Sequence, residues 1–454
     1  MSLKNLEEGA VVENAPCVIS RRRKERGGFS YTLTDGEGEI EFESGSFFEY
    51  GQELMVSGSA YNDRGFMKLK VSSLEKTSGI YESVIGRVEA NAKLFDVALL
   101  AEGSAVEKLK PKIEECARKL LGARKLGRHV LLRFHNDADG IAGALALTRV
   151  VRAYTSQQNS ANYTPFDAMR DIGNLQGQKK PLVILLDFGC GIESAEGLSV
   201  LKASGAEVMI IDHHPNEGKA ERNSHVLLSP WTVDSSAEAS FYTAGYLAVE
   251  VARACGEDAA SLAPIACAGD KSPILPVSDT EREVALVLDY MATYSGFGNK
   301  LDFYKNALEN RELYASVLVQ AREALDRISE DVQKNMKKKL EGAVSVYVVD
   351  TEKVKSREFP GKGKITTRGF ELVGDAPAVV LGVWKNGLSF RINSGAVEKG
   401  VKADSIIASL KEEMGDFIEG GGGHARAASL RIKEGFVDSV VEKILEKVRE
   451  ASLE

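Results

Sequence analysis

The sequence has 454 residues, of which 43% are hydrophobic and 27% are charged, and its formal net charge is −8. This length allows about three domains of ~150 residues each, and the composition excludes a chain that is disordered, collagen-like or coiled coil throughout. The five cysteines form no Cys-x-x-Cys pair, which argues against a disulfide framework and a structural zinc site. No apolar run approaches the ~18–20 residues of a membrane span, and no secretory signal is visible. We therefore expect a cytoplasmic protein that binds nucleic acid, if at all, through local basic patches or bound cations.

The first 76 residues are predicted to form a small β-barrel of the OB type. Several short stretches alternate polar and apolar residues, and glycine-containing turn sequences separate them. Short strands joined by tight turns are typical of such a barrel. A helical segment at residues 77–127 is predicted to follow it. The predicted strands are 29–33, 39–43, 53–57 and 67–71.

The barrel sequence contains a candidate nucleic-acid-binding segment. Phe29 and Tyr31 lie two residues apart, so they share one face of a strand and could stack on bases. Basic residues that could hold phosphates precede them. The alternative is a solvated charged loop beside two core aromatic residues. The basic residues are Arg21, Arg22, Arg23, Lys24 and Arg26.

Residues 128–309 alternate between apolar strands, polar turns and helices. The predicted strands at 129–134, 182–186 and 207–211 are nearly continuous apolar runs, as expected of parallel strands that are covered on both faces. We therefore predict an α/β domain built on a doubly wound parallel sheet. Ligands of such sheets bind at the edge formed by the C-terminal ends of the strands.

The remainder of the chain is predicted to hold a linker helix and a second α/β domain. Residues 310–341 are rich in charged helix formers, and residues 342–454 are predicted to form the smaller α/β domain. Within it, the segment Gly361–Lys364 lacks the spacing and the Ser/Thr of a Walker loop. We interpret that segment as a basic surface turn.

Acidic and histidine residues cluster in the turns that follow the strands of the central domain. If the strands are neighbours, these side chains converge, and close carboxylates repel and raise one another's pKa unless cations neutralise them. An isolated Asp-x-Asp at a strand end is more often a turn or helix cap, but three clusters at equivalent positions favour metals. Oxygen and imidazole ligands suit Mn²⁺, Mg²⁺ or Fe²⁺, and a pair of ions ~3.5–4 Å apart supports phosphoryl displacement. The residues are His135, Asp137, Asp139, Asp187, Asp212, His213 and Asp270.

Four motifs in this region resemble those of the DHH phosphoesterase superfamily in order and spacing, over roughly residues 128–450. The run of glycines near the C-terminus resembles the signature of the DHH-associated domain that closes over that active site. The His-x-Asp-x-Asp-Gly form of the first motif is similar to that of RecJ-type exonucleases, particularly archaeal ones. The motifs are His135-Asn-Asp-Ala-Asp-Gly140, Leu186-Asp-Phe-Gly189, Asp212-His-His214, Ala268-Gly-Asp270 and Gly420-Gly-Gly-Gly-His424.

The resemblance implies a dinuclear centre that holds two divalent cations. Mn²⁺ is the ion that we expect, and Mg²⁺ is the alternative. It implies that Asp187 bridges the two ions and that His214 faces the scissile phosphate. Asp212 is expected to orient a histidine. The implied ligands are His135, Asp137, Asp139, Asp187, His213 and Asp270.

The glycine run also predicts a phosphate-binding site. Consecutive glycines can bring several backbone N–H groups to one anion, as in a nest, and nearby basic residues add positive charge. The alternative is a flexible linker, but such linkers rarely continue into an apolar strand. The predicted phosphate-binding residues are Arg391, Ser394, Gly421, Gly422, Gly423, His424 and Arg426.

These features predict a metal-dependent phosphodiesterase that acts on single-stranded DNA or RNA, in the manner of a RecJ-like exonuclease that releases mononucleotides. This function favours nucleic-acid binding by the basic segment of the barrel. One alternative is a hydrolase of small phosphoesters, such as nanoRNA, a cyclic dinucleotide or pyrophosphate, for which a separate binding module would be superfluous. The other is a catalytically silent scaffold among replication or repair proteins. Such a scaffold is expected to have lost some of its metal ligands, whereas the acidic residues of this sequence form a complete set. We expect replication or repair proteins as partners, and we expect no association with a membrane.

Overall fold

The computed structural model describes residues 2–452 except for residues 26, 161, 217, 295–300 and 357. The chain forms a barrel, a central α/β domain and a C-terminal α/β domain, with helices between them. This arrangement confirms the predicted fold class. Arg26 lies outside the described residues.

The N-terminal unit is a closed five-stranded barrel with the strand order β1-β2-β3-β5-β4. Its interior holds apolar side chains that alternate along each strand, among them Leu33, Phe42 and Val56. The four predicted strands are present, but the sequence prediction missed the first one, which contains the basic segment. The strands are β1 (Val11–Glu25), β2 (Gly28–Thr34), β3 (Glu39–Ser44), β4 (Glu53–Asp63) and β5 (Phe66–Lys76).

Two helices, α1 (Tyr81–Ala90) and α2 (Ser104–Leu126), connect the barrel to the central domain. Apolar side chains of α1 pack with Val18 of the barrel and with Leu126 at the end of α2. The barrel is therefore fixed to the helices by a small core of its own.

The central domain is built on a five-stranded sheet with the order β10-β9-β8-β6-β7, and all its neighbouring strands are parallel. Successive residues of these strands point to opposite faces, so Ile184 and Leu186 join one apolar layer and Val183 and Leu185 the other. Helices cover both layers, as predicted for a doubly wound sheet. The strands are β6 (Val130–His135), β7 (Tyr154–Gln158), β8 (Leu182–Leu186), β9 (Glu207–Ile211) and β10 (Val226–Leu228). The helices are α3 (Ala138–Val150), α4 (Pro165–Asn174), α5 (Ala195–Ala203), α6 (Lys219–Asn223), α7 (Ala244–Ala254), α8 (Ala263–Gly269), α9 (Asp279–Tyr294) and α10 (Leu301–Glu309).

A long helix, α11 (Arg311–Asn335), leads into the C-terminal domain. The six-stranded sheet of that domain has the order β11-β12-β13-β14-β16-β15. Its first strand starts at Met336, so the sheet begins inside the segment predicted as a linker. The strands are β11 (Met336–Leu340), β12 (Ser345–Asp350), β13 (Ala378–Trp384), β14 (Gly387–Ile392), β15 (Ile418–His424) and β16 (Ala427–Ile432). The helices are α12 (Lys362–Glu371), α13 (Ser394–Glu398), α14 (Ala403–Met414) and α15 (Val437–Ala451).

The barrel and α1 sit against the N-terminal ends of the central strands. Glu53 of the barrel pairs with Lys179, which precedes β8. Glu89 of α1 lies 3.7 Å from Arg128, which precedes β6. The opposite edge of the sheet, where β6, β8 and β9 end, faces away from the barrel. None of the helices formed by the described residues has the length and apolar character that a bilayer span requires.

Candidate metal centre

The C-terminal ends of three neighbouring parallel strands define the candidate site. His135 is the last residue of β6, Asp187 directly follows β8, and Asp212 directly follows β9. Because these strands are adjacent and parallel, the three turns lie side by side at one edge of the sheet. Asp137 caps α3 at the same edge, and Asp270 lies just beyond the end of α8.

Local backbone requirements explain part of this arrangement. Asp187 has a φ of +66°, a left-handed conformation that Asp and Asn tolerate better than most residues. Asp137 accepts a hydrogen bond from the N–H of Gly140 at 3.0 Å. A Cβ atom at Gly140 would lie 2.4 Å from the carbonyl oxygen of His135, so only glycine allows this turn.

The candidate ligand atoms form three overlapping groups, and within each group they lie no more than 4.8 Å apart. Asp187 belongs to two of the groups and His213 also to two, so the groups are continuous with one another. A carboxylate shared in this way can bridge two cations. The groups are Asp187, His213 and His214; His135, Asp137 and Asp187; and Asp139, His213 and Asp270.

The closest side-chain contacts join imidazole nitrogens to carboxylate oxygens. The Nδ1 atom of His135 lies 2.7 Å from Asp137 Oδ2 and 3.4 Å from Asp187 Oδ2. The Nε2 atom of His213 lies 3.0 Å from Asp270 Oδ2 and 3.4 Å from Asp187 Oδ1. The structure thus brings together the side chains that the sequence predicts as metal ligands.

Hydrogen bonds to their Nδ1 atoms orient the rings of His213 and His214. His213 donates from Nδ1 to the carbonyl oxygen of Ser240 at 2.8 Å, which turns its Nε2 atom toward the carboxylates. His214 Nδ1 lies 2.8 Å from Asp212 Oδ1. Asp212 is itself fixed, because its Oδ2 atom accepts from the backbone N–H of Cys190 at 2.8 Å. Asp212 therefore contacts His214 rather than facing the cluster itself.

The electrostatics of the cluster show an excess of negative charge. Burial and the nearby carboxylates of Asp187 and Asp270 raise the pKa of Asp139 well above its ordinary value. Burial and Asp137 likewise raise the pKa of Asp187. Burial alone would lower the pKa of His213, but its contacts with Asp187 and Asp270 raise that pKa instead. Protons or cations are therefore favoured around Asp139, Asp187 and His213.

Buried oxygen atoms without partners provide an independent test of metal binding. Among the described residues, Asp139 Oδ2 and both side-chain oxygens of Asp187 accept no hydrogen bond, although they are buried. Buried carboxylate oxygens are normally hydrogen-bonded or bound to a cation. The donor set of carboxylates and imidazoles fits Mn²⁺ or Mg²⁺ better than it fits a thiolate-bound ion.

The C-terminal domain contributes side chains to the same cleft. Burial and the positive charges of His213 and His214 lower the pKa of His424 to about 3. Burial lowers the pKa of Arg391, while the carboxylate of Asp270 opposes that shift. Both residues therefore lie close enough to the acidic cluster to interact with its charges, although they belong to the other domain. The sequence prediction had assigned these two residues to phosphate binding.

The glycine run does not form the predicted nest. Residues 420–424 lie in β15, an edge strand that pairs with β16 along its length. Alternate peptide groups of such a strand point to opposite sides, so consecutive N–H groups cannot converge on one anion. The glycines instead allow close pairing, because a Cβ atom at Gly421 or Gly423 would lie 2.3 Å from a carbonyl oxygen of β16. These two residues have φ angles of +128° and +152°.

The remaining predicted phosphate-binding residues lie around this strand. Arg426 occupies the turn between β15 and β16, and its N–H donates to His424 Nδ1 at 3.4 Å. Ser394 is exposed at the first residue of α13. Among the described residues, Ser394 makes no hydrogen bond to the acidic cluster. Gly422 stands between the two close-paired glycines, with open space where its side chain would be.

Two residues that the sequence prediction missed also lie at the site. Asp289 accepts a hydrogen bond from the N–H of Ala138 at 2.9 Å, and Lys364 pairs with the other oxygen of Asp289. Lys364 was predicted to lie in a surface turn, but it occupies the first turn of α12 and reaches across to the central domain. No local pattern indicates this pair, since the two residues belong to different domains.

The barrel requires one correction. Tyr31 has no exposed surface and donates a hydrogen bond to the carbonyl oxygen of Ser46 at 2.9 Å, so it cannot stack on a base. Phe29 packs against the same core but is only half-buried, and its ring centre lies 5.7 Å from that of the exposed Phe47. Arg21, Arg23 and Lys24 are exposed on β1, in a strand rather than in a loop.

Arg22 is the centre of an aromatic cluster on the barrel surface. Its guanidinium carbon lies 4.3 Å from the ring centre of Phe47, 5.3 Å from that of Tyr50 and 5.9 Å from that of Phe29. Phe47 is 57% exposed and Tyr50 is 45% exposed. We call Arg22, Phe29, Phe47 and Tyr50 the aromatic patch. Phe47 and Tyr50 were not predicted, because the loop that carries them has no basic residue.

Comparisons with known proteins agree with the sheet and the cluster. The family model described as the N-terminal domain of the DHH family matches residues 129–269. The uncharacterized protein MJ1198 of Methanocaldococcus jannaschii is 25% identical over 84% of this chain, and the chain spans only 59% of that protein's length.

Solved structures show the same fold. A DHH domain described as belonging to a member of a family of ribosomal proteins has a TM-score of 0.72 and 23% identity, over 81% of this chain and 97% of that one. RecJ from Thermus thermophilus, in complex with Mn²⁺, has a TM-score of 0.51 and 15% identity, over 82% of this chain and 59% of that one. The match over residues 129–269 shows that this segment is similar to the N-terminal domain of the DHH family, and the solved structures show that the chain shares the fold of a DHH domain and of RecJ.

Proposed function

We propose that this protein is a phosphodiesterase that hydrolyses single-stranded nucleic acid from an end and releases mononucleotides. The observation that carries the proposal is the set of buried carboxylate oxygens of Asp139 and Asp187 that have no hydrogen-bond partner. They lie in three overlapping ligand groups at the edge of the sheet where α/β proteins bind their ligands.

Two divalent cations, Mn²⁺ first and Mg²⁺ as the alternative, would complete this site. When bound, such a pair activates water and stabilises the attacking and leaving oxygens of a phosphoryl displacement. Asp187 would be shared by the two ions, because its Oδ2 atom lies 3.4 Å from His135 Nδ1 and its Oδ1 atom lies 3.4 Å from His213 Nε2. The residues that would hold the ions are His135, Asp137, Asp139, Asp187, His213 and Asp270.

The other side chains of the cleft would bind and orient the substrate. His214 donates from Nδ1 to Asp212, whose carboxylate outweighs burial and raises the pKa of this histidine, so the protonated ring would donate from Nε2 to a phosphate oxygen. Arg391 and His424 of the C-terminal domain lie close to the acidic cluster and would hold the phosphate of the terminal nucleotide. Arg426 would add a further contact to the backbone of the strand.

The aromatic patch of the barrel, which has the strand order of an OB-type fold, is the proposed binding site for the rest of the strand. Exposed aromatic rings beside an arginine suit single-stranded bases. The barrel lies at the N-terminal edge of the central sheet, and residues 179–187 alone extend roughly 25 Å from that edge to the metal ligands. A strand must therefore be several nucleotides long to contact both sites, which favours a long substrate over a dinucleotide.

The test of the metal centre is the substitution Asp187→Asn, since Asn also tolerates the left-handed conformation of this residue. Asp326→Asn, at an exposed position of α11, is the matched control. With Mn²⁺ and end-labelled single strands of graded length, we expect Asp187→Asn to lose activity by about a thousandfold or more, because several kcal/mol of transition-state stabilisation are removed. Retention of full Mn²⁺-dependent activity by folded Asp187→Asn would contradict the proposal.

The same assay separates the alternatives. A small-phosphoester hydrolase would prefer dinucleotides, whereas a scaffold would bind strands without cleaving them. Arg22→Ala in the full chain tests the aromatic patch and avoids deleting a barrel that shares a core with α1. We expect Arg22→Ala to weaken binding of long strands and to reduce its salt dependence, and to leave dinucleotide cleavage unchanged.

The position of the label and the size of the products give the polarity of digestion, and DNA and RNA strands compared directly give the preferred sugar. A cytoplasmic location is part of the proposal, since the five cysteines are buried and free. Replication and repair proteins are the proposed partners.

A further inference from the structure

We propose that Asp289 is a positioning residue for the turn that carries Asp137 and Asp139, and that Lys364 of the C-terminal domain acts on this turn through Asp289. The inference rests on the proposed metal centre. It adds a second domain to the factors that determine how tightly that centre binds its cations.

The first observation is the place where Asp289 contacts the turn. Its Oδ1 atom accepts the backbone N–H of Ala138, the residue between the two aspartates, at 2.9 Å. This N–H belongs to the first turn of α3, where backbone N–H groups have no partner within the helix. Asp289 lies on α9, so the hydrogen bond fixes the turn from a different element.

The second observation is the partner of the other oxygen. Lys364 pairs with Asp289 Oδ2, and the Asp289 side chain is only 8% exposed. A buried carboxylate needs such a partner, because leaving its charge unpaired in the interior is costly. Lys364 therefore holds the Asp289 side chain in place, although it belongs to the C-terminal domain.

The third observation is that α12, the helix that carries Lys364, contacts the site at two further points. At its far end Glu371 pairs with Lys271, the residue after Asp270, at 2.6 Å. At its middle Thr367 accepts a hydrogen bond from Nε of Arg391 at 3.0 Å. One helix therefore contacts Asp289, the residue that follows Asp270, and one of the proposed phosphate-binding residues.

These contacts predict that cation affinity depends on where the C-terminal domain sits. When α12 is in place, the Lys364–Asp289 pair holds the turn in the geometry that the cations need. If Lys364 acted directly on the cluster instead, its positive charge near Asp137 would repel cations, and removing it would strengthen binding. The two mechanisms thus give effects of opposite sign.

The experiment is titration calorimetry of the full chain with Mn²⁺ alone, without substrate. Asp289→Ala removes both contacts, whereas the amide oxygen of Asp289→Asn can still accept from Ala138. We expect Asp289→Ala to lose Mn²⁺ affinity by about 10- to 100-fold, the usual effect of removing a group that orients a ligand. Asp289→Asn keeps the contact with Ala138 but loses the ion pair with Lys364, so we expect a smaller loss of about three- to tenfold. Glu283→Gln is the matched control. Glu283 lies on the same helix as Asp289, and the substitution removes an exposed ion pair with Arg322 of α11.

Lys364→Met is then measured in two backgrounds, since a double-mutant cycle isolates an effect that passes through a neighbour. We expect it to lower Mn²⁺ affinity about three- to tenfold in the wild type and to cause no further loss in Asp289→Ala. An equal loss in both backgrounds, or a gain in affinity, would overturn the role of Lys364.

Wild-type affinity in Asp289→Ala would overturn the positioning role of Asp289, and so would an equal loss in Asp289→Ala and Asp289→Asn. If the wild type itself bound no Mn²⁺, the proposed function would fail, which is a different result from either of these. Thermal unfolding of each variant shows that it is folded before its affinity is compared.

Discussion

The two edges of the central sheet bury charge in opposite ways. At the edge near the barrel, Arg128 and Lys119 pair with Glu207 at 2.6 and 2.5 Å, and Glu89 lies 3.0 Å from Lys119. Positive and negative groups are equal in number there. At the other edge, aspartates outnumber histidines, and among the described residues Asp139 Oδ2 and both side-chain oxygens of Asp187 accept no hydrogen bond, the nearest histidine nitrogens to Asp187 lying 3.4 Å away.

The charges of the neighbouring side chains determine in which direction the pKa of Glu207 and that of Asp139 shift. Burial would raise the pKa of Glu207, but Arg128 and Lys119 outweigh it and lower that pKa to about 2. Burial also acts on Asp139, and there the adjacent carboxylates add to it and raise the pKa. Near the barrel, opposite charges of the chain offset one another, whereas the excess of carboxylates at the other edge indicates a bound cation.

The largest change in stability should come from removing a charge at the edge near the barrel, which we call the neutralised edge because its positive and negative side chains are equal in number. Arg128→Met leaves Glu207 buried without its main partner and removes two hydrogen bonds to the carbonyl oxygen of Lys180. Since the Arg128 side chain has no exposed surface, we expect the free energy of unfolding to fall by about 3–5 kcal/mol. Urea unfolding measures it, and a loss below about 1 kcal/mol would contradict the comparison.

The opposite edge should respond with the opposite sign. A carboxyl group whose pKa is raised in the folded state destabilises the fold at neutral pH, so Asp187→Asn should stabilise the metal-free protein by about 1–3 kcal/mol. Mn²⁺ should raise the melting temperature of the wild type but not of Asp187→Asn. Thermal unfolding with and without Mn²⁺ tests both. A destabilised metal-free variant would show that this edge is structural as well.

Mn²⁺ binding should depend on pH, because protons occupy the site that the cations need. The raised pKa values of Asp139 and His213 mean that protons are released on binding, so affinity should rise from pH 5 to pH 7. The increase can reach about tenfold per pH unit for each proton displaced. Calorimetry in buffers of different ionisation enthalpy counts the protons. Glu207, with its pKa of about 2, does not titrate in this range and should leave stability unchanged.

The smallest effect is expected at the margin of the neutralised edge. Lys180 pairs with Glu82 at 2.7 Å, and the Glu82 side chain is 77% exposed. Lys180→Met should change the free energy of unfolding by at most about 1 kcal/mol, because exposed ion pairs contribute little. Urea unfolding of Lys180→Met and Arg128→Met under the same conditions compares their free energies of unfolding. Equal losses in the two variants would mean that burial is not what separates them.

The sequence was sufficient to predict the parallel sheet and the residues at its edge. Continuous apolar strands require cover on both faces, and the polar turns that follow them must then meet, so the positions of Asp137, Asp187 and His213 could be inferred from chain order. Their contacts with one another follow from strand adjacency, which the motifs alone do not specify.

Three features could not be predicted, each for a physical reason. Alternation shows that Phe29 and Tyr31 share a face, but not whether this face is inside or outside a closed barrel. Glycines carry no strand preference of their own, so residues 420–423 become a strand only because β16 pairs with them. The pair of Asp289 and Lys364 joins two domains, and no local spacing indicates a contact of that kind.

The placement of the barrel behind the sheet has a kinetic consequence for the proposed exonuclease. A long strand can stay anchored on the aromatic patch while its end is shortened in the cleft, so successive cuts follow one encounter. Once the remaining piece is too short to reach around the domain, it is held at the cleft alone and leaves between cuts. Digestion should therefore change from processive to distributive at a fixed remnant length, and this length measures the path between the two sites.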